Sequence, residues 1–343
     1  MIEIDGSQGE GGGQVLRTSL ALSVVTGKPF RLFSIRAGRK SPGMKKQHLA
    51  CVRAAKQISN AEVSGDALDS TELTFTPQGI HPGQYRFTVG SAGSAALVYQ
   101  MVLPPLLHAD RPSFVMIEGG THAAWAPPFD FLQHSFIPML ERMGASVTLS
   151  AERLGFYPAG GGLLHARIHP WIERHPFKLM ELMSSSLSAT AYISNLPRHV
   201  AERALRKVKQ AFVLDDDLLN VADVKTAGPG NALCIYSHSN QVTEVMTTFG
   251  KRGRKSEDVA KEAIKAMLRY LDAKVPVGEY LADQLLVPMA LGAGGRFRTL
   301  EPSLHTRTNI NTIQRFLDVE ITCEEVEGAW EIEVEKGSGS AGA

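Results

Sequence analysis

Cysteine is scarce in this 343-residue chain: Cys51, Cys234 and Cys323 stand far apart, and their number is odd. With no C-x-x-C pair, neither a zinc ribbon nor a disulfide framework is supported, and a reducing cytoplasm is the expected compartment. Familiar signatures are missing as well. No G-x-x-x-x-G-K-[ST] occurs, no G-x-G-x-x-G opens a helix, and H-E-x-x-H and G-x-S-x-G are absent. P-loop, Rossmann, zinc-protease and α/β-hydrolase chemistries therefore lose their support. The K-x-D-G lysine of ordinary nucleotidyl-transferring ligases is also lacking, so a covalent nucleotide would need another nucleophile. A polyanion coat is not expected: 36 Lys and Arg face 35 Asp and Glu, leaving a formal charge of +1. Any nucleic-acid site must then be assembled from local cations. There is no 18-residue apolar run, and Met1-Ile2-Glu3-Ile4 reads as a strand, so neither a membrane span nor a secretory signal is expected.

What is present is ordinary for a globular protein, with 43% hydrophobic and 21% charged residues. Strand and helix signals alternate, which makes the class mixed α and β. One pattern recurs: a short strand, a Gly/Ser-rich turn, then an apolar helix. It occurs at Ile2–Ile4, Gly6–Gly13 and a helix over about Gln14–Thr26, closed by Gly27 and Pro29. It occurs again at Tyr85–Val89, Gly90–Ser94 and a helix through Leu97 and Met101, and more loosely at Tyr280–Leu286 after Gly278. Later helices are expected over Gln47–Ile58, Phe129–Met143 and Asn309–Phe316. Three related units follow from this, over 1–180 (two units) and 275–336 (the third). Residues 181–274 differ in character, with charged helices at Val200–Phe212 and Ser256–Leu271, and read as an inserted smaller α/β domain. Residues 337–343 read as a flexible tail.

Five segments carry chemistry. In Asp5–Arg17, clustered glycines allow close approach to a ligand, and the next helix offers free N–H groups to an anion. Glu10 stands where a carboxylate could hold a divalent metal, and Gln14 and Arg17 are one turn apart. A solvated glutamate in a Gly-rich turn explains the same residues. In Ile35–His48, Arg36 and Arg39 suit forked phosphate contacts, with Gln47 and His48 opening a helix; a basic surface loop is the plain alternative. Gly119–Thr121 with Ala126–Asp130 reads as a rigid proline loop able to wall a flat base. In Gly278–Gln284, Tyr280 could stack on a base while Asp283 and Gln284 contact an amine or a hydroxyl. In Glu301–Asn309, His305 is placed in a polar loop just ahead of a helix, where a neutral imidazole is a competent nucleophile.

Together these segments resemble the RNA 3′-terminal phosphate cyclase family. The matching stretches include DGSQGEGGGQVLRTSLALS, IRAGRKSPGMKKQHL, GGTHAAWAPPFDF, VGEYLADQLLVPMALGAGG and PSLHTRTNI. They keep the family's order from residue 2 to about residue 334. The resemblance implies three repeated two-helix, four-stranded units like the C-terminal domain of bacterial translation initiation factor 3, with a small α/β insert. It implies ATP as substrate, Mg²⁺ or Mn²⁺ at Glu10, and an RNA with a 3′-phosphate as partner. His305 matches the nucleophile that takes AMP. Arg17, Arg36 and Arg39 match catalytic arginines, and Gln14, Gln47 and His48 match residues at the phosphates and the RNA end. Gln100, Pro127 and the run Tyr280, Leu281, Ala282, Asp283 and Gln284 match nucleotide-binding positions, with Tyr280 and Pro127 flanking adenine. Non-catalytic cyclase-like ribosome-assembly proteins are the rival, against which stand His305, the arginines and Glu10. An enolpyruvyl-type transferase would lack the histidine loop and GEYLADQ.

Overall fold

The computed structural model describes residues 1–90 and 92–337; Ser91 in the second turn, and the tail beyond Gly337, lie outside the described residues. The chain begins with β1 (Ile2–Asp5), α1 (Gly13–Thr26), β2 (Phe30–Phe33), α2 (Lys46–Ser59), β3 (Glu62–Ser64) and β4 (Leu73–Thr76). It continues with β5 (Gln84–Thr88), α3 (Ala95–Leu107), β6 (Ser113–Gly119), α4 (Phe129–Phe131), α5 (Ile137–Arg142), β7 (Val147–Arg153) and β8 (Gly162–Ile168). The first sheet has the order β1-β2-β4-β3 and the second β5-β6-β8-β7. In each, the first two strands are parallel and the rest antiparallel.

The third sheet repeats this arrangement with an interruption. Its first strand is β9 (Phe177–Leu179), and its others are β14 (Gly295–Thr299), β15 (Val319–Val326) and β16 (Ala329–Lys336). β9 pairs in parallel with β14, and β16 lies antiparallel to both β14 and β15. A Cβ at Gly295 would overlap the Phe177 backbone, so the glycine lets the two strands meet. Between β9 and β14 come β10 (Ser186–Ser194), α6 (His199–Phe212), β11 (Leu219–Asp223), β12 (Gly230–His238), β13 (Thr243–Phe249), α7 (Ser256–Ala273) and α8 (Glu279–Leu291). β10 to β13 form a fourth sheet of a different order, β11-β10-β12-β13. α9 (Leu304–Phe316) follows β14.

Burial follows the sequence pattern. α1 is buried along nearly its whole length because it packs on α2, α3 and α9. One continuous core runs through the first three sheets and their helices. α6 buries Ala201, Ala204, Leu205 and Val208, an i, i+3, i+4, i+7 stripe, against the fourth sheet's own core. Strand alternation aims Ala191 and Ile235 at that core, and Tyr192 and Tyr236 at the main body.

Two local expectations differ from the structure. The helix over Phe129–Met143 is broken by a π-helical turn at Leu132–Phe136, where Ile137 N–H bonds to Leu132 O. Pro138 has no N–H to continue the regular ladder, and the turn absorbs one residue ahead of it. The last helix starts at Leu304, not Asn309, because the Ser303 side chain caps it by accepting from Thr306 N–H at 3.2 Å.

Candidate active site

His305 therefore lies in the first turn of α9 rather than in a loop ahead of it. It faces the start of α1, whose N-cap is Gly12. No side chain caps that end and its first turn holds no acidic residue, so the N–H groups of α1 stay available to an anion.

The imidazole is held by a chain of polar groups. The Asp283 carboxylate on α8 is buried, and burial raises its pKa. Gln14, His305, Arg17 and Asn309 oppose that rise. Three amides donate to the carboxylate: Gln14 Nε2 at 2.6 Å, Gln284 Nε2 at 2.9 Å and Asn309 Nδ2 at 3.2 Å. With its NH₂ committed to Asp283, Gln14 presents Oε1 to His305, and Nδ1–H donates to it at 2.6 Å. The proton thus sits on Nδ1 and the lone pair on Nε2. His305 is titrated below the ordinary histidine value by burial, with Arg17 and Arg39 adding to the shift against Asp283. The position near a helix N-terminus acts in the same sense.

His305 Nε2 lies 4.0 Å from Glu10 Oε1. Glu10 is anchored by its own N–H, which donates to Thr308 Oγ1 at 2.9 Å. Arg39 pairs with Glu10 Oε1 and donates to its carbonyl at 3.0 Å. Glu10 Oε2 is buried and has no hydrogen-bond partner among the described residues. A leftover buried carboxylate oxygen fits a hard divalent cation that takes its other ligands from phosphates. Among the described residues, the grouping of three metal-ligating side chains falls elsewhere, at His122, Asp130 and Cys234; Glu10 would hold an ion alone.

Arg17 is half-buried on α1 and has no hydrogen bond or ion pair among the described residues. Burial lowers its pKa, with Cys51 and Asp283 opposing. A desolvated, unpaired guanidinium is costly, and an anion is what relieves it. His48, at the start of α2, accepts from Lys45 N–H at 3.0 Å through Nδ1, which puts its proton on Nε2. Burial pushes its pKa down to about 3, helped by Arg17, Arg36 and Lys45. It is a neutral donor. A Cβ at Gly13 would overlap the His48 ring and lie 2.8 Å from Arg17 Nη1, so only glycine lets α1 and α2 close here.

The remaining sequence candidates divide. Gln284 joins the cluster by bonding Asp283, and Gln100 on α3 donates to Gln284. Gln47 caps α3 from outside, its Oε1 accepting from Ser94 N–H at 2.9 Å. Arg36 turns back on its own loop, donating to Ser41 O at 2.8 Å and Gly43 O at 3.0 Å. Leu281 and Ala282 are core side chains, which leaves only their backbone to a ligand. Tyr280 is 65% exposed and Pro127 half-buried, and no hydrogen bond or ring contact joins either to the cluster among the described residues. The structure adds two residues that sequence reasoning assigned no role, Thr308 under Glu10 and Asn309 under Asp283. Both lie one helical turn beyond His305, and that i+3/i+4 spacing was the available signal.

Fold and site together define a mixed α/β protein whose candidate centre gathers buried polar side chains and arginines round a histidine. Residues 8–323 match the family model described as RNA 3′-terminal phosphate cyclase. A protein of that name from Koribacter versatilis is 48% identical over 332 residues, covering 95% of this chain and 93% of its own. Those from Ralstonia nicotianae (47%; 94% and 93% covered) and Salmonella enteritidis (43%; 97% and 98% covered) are similar along nearly their full lengths. The chain belongs to the RNA 3′-terminal phosphate cyclase family.

Proposed function

We propose that this chain uses ATP to convert an RNA 3′-phosphate end into a 2′,3′-cyclic phosphodiester, with His305 carrying AMP between the steps. The reading is carried by one observation: the Asp283–Gln14–His305 relay leaves a lone pair on Nε2, within the field of Arg17, which has no partner among the described residues. Nε2 attacks the α-phosphorus of ATP, and the bond to the bridging oxygen breaks as pyrophosphate leaves. An oxygen of the RNA 3′-phosphate then attacks the phosphoramidate, the P–N bond breaks and the imidazole is recovered. Finally O2′ attacks the activated 3′-phosphorus, loses its proton and expels AMP. The attacking hydroxyl is already adjacent, which gives the last step a large proximity advantage.

This chain's residues divide the work. Gln14 orients the imidazole, Arg17 and the α1 N-terminus receive phosphate charge, and Nε2–H of His48 donates to it. Arg39 would leave Glu10 for phosphate when the nucleotide arrives, and a turn of its own loop would bring Arg36 beside it. Tyr280 and Pro127 would flank adenine, with Gln100, Asp283, Gln284 and the backbone of Leu281 and Ala282 along the nucleoside. Gln47 would meet the RNA end. When bound, Mg²⁺ or Mn²⁺ supplies charge neutralisation on phosphate oxygens, and Glu10 is the residue that would hold it.

The test is incubation with α-labelled ATP and Mg²⁺ or Mn²⁺, then denaturation. We expect an acid-labile, alkali-stable adduct on His305 that His305→Ala abolishes without loss of fold. Labelling of that variant at the wild-type rate would assign the nucleophile elsewhere. No adduct on the folded wild type would favour a non-catalytic RNA-binding role.

A further inference from the structure

An open groove of about 680 Å³ runs between α2, the loop at residues 66–68 and the strand β5. β5 is an edge strand, paired on one side only. Lys46 and Arg53 line the groove from α2 and Arg86 from β5, against one lining carboxylate, Asp66. Asp66 already faces Lys56 at 3.8 Å. Lys46 and Arg53 are exposed and make no ion pair or hydrogen bond among the described residues. They are seven residues apart, so they share one face of α2, about 10 Å apart along its axis. Leu68, on the opposite lip, is 51% exposed.

The groove and the histidine centre share a wall. Lys46 and Gly90 line the groove, while Gln47, the residue after Lys46, accepts at 2.9 Å from the N–H of Ser94, four residues beyond Gly90. The following residue of α2, His48, faces Arg17.

Resting on the proposed function, we propose that this groove is the binding track for the RNA strand just upstream of its reacting 3′-phosphate. A strand whose end lies at Arg17 and His48 must leave the centre somewhere. This exit pairs spaced, uncommitted cations with an apolar floor, the combination that takes up a single-stranded backbone and its bases. The net charge of the whole chain is near zero, so the local placement of these cations is informative. An acidic peptide lacks the regular charge spacing and the flat bases.

The test is the double variant Lys46→Gln/Arg53→Gln in the full chain, with three readouts. Labelling by ATP alone, and cyclisation of a 3′-phosphorylated dinucleotide, are expected to stay at the wild-type level. With a 3′-phosphorylated decanucleotide, KM is expected to rise about 10-fold, and the slope of log binding against log salt to flatten by about 1.4, the value for two single-strand phosphate contacts. The charge-keeping pair Lys46→Arg/Arg53→Lys should restore both, which guards against a folding defect. An unchanged decanucleotide KM with intact labelling overturns the track while leaving the cyclase reading standing. Failure of the wild type to label overturns the reading and the track with it. Equal loss of a poly-glutamate peptide, bound by the wild type as tightly as RNA, would make the groove a general polyanion surface and overturn its assignment to RNA.

Discussion

The tautomer of His305, and with it the nitrogen that the proposed adenylation would use, comes from two neighbours rather than from histidine itself. Asp283 accepts from three amides, so Gln14 turns its NH₂ inward and its oxygen outward, and the imidazole follows. A pH consequence follows from burial and the nearby arginines, which lower the His305 pKa below the free value of 6.5. The imidazole stays neutral to lower pH than a free histidine. Single-turnover adenylation is then expected to be level from pH 8 to about 6.5 and to fall only below, with its midpoint under 6.5. A midpoint at or above 6.5 would mean that Asp283 outweighs burial and the arginines. Much of this centre was legible as residue types: Glu10, Gln14, Arg17 and His305 stand out by their company of glycine and polar neighbours. Their mutual arrangement was not, since Gln14 and His305 are 291 positions apart and meet only when α1, α8 and α9 pack.

At the level of elements, α8 is held at its start by an acid from the inserted segment. Glu244 on β13 is buried, and its Oε1 accepts from Gly278 N–H, the N-cap of α8, at 2.5 Å. Burial pushes this carboxyl up to about 8 from 4.5, with the Gly278 bond opposing. Its folded pKa lies above its unfolded one, so its contribution is complete below pH 4.5 and is lost as pH rises through 8. Glu244→Gln keeps the acceptor and removes the proton. Denaturant melts should show the wild type losing roughly 1 kcal/mol or more between pH 5 and pH 8 relative to this variant. Parallel curves would show that the group titrates normally. Helix boundaries illustrate what sequence can and cannot carry. α1 and α7 lie within one or two residues of their expected ends, because Gly27 and a long amphipathic stripe mark them. The start of α9 was hidden because Thr306 to Asn309 are polar, as a loop would be; Thr306 serves the cap, Arg307 lies over Trp330, and Thr308 and Asn309 bond Glu10 and Asp283.

On the scale of the whole molecule, a buried network round Asp130 joins the Glu244–Gly278 bond in fastening the fourth sheet to the main body. Asp130 accepts from His122 at 2.8 Å, from Tyr192 at 2.6 Å and from Tyr236. Burial alone would raise the Asp130 carboxyl, but these donors hold it at about 2. Asp130→Asn removes the charge that all three donors share. It is expected to cost about 3 kcal/mol and to split thermal unfolding into separate steps for the fourth sheet and the main body. A single unshifted transition would show that other contacts, not this network, join them. The network was not legible beforehand, because its members come from residues 122 to 236 and each reads singly as an ordinary core residue.

The detour between β9 and β14 also orders events in time. A growing chain completes β9 and then makes about 115 further residues before Gly295, the first residue of its partner, exists. At about 5–20 residues per second that is a wait of roughly 10 s. The fourth sheet, with a core of its own, can form during the interval, while β9 remains a three-residue stub with nothing to pair with. The third sheet is therefore the last to close, and His305, which follows β14, reaches Gln14 only after nearly the whole chain has left the ribosome.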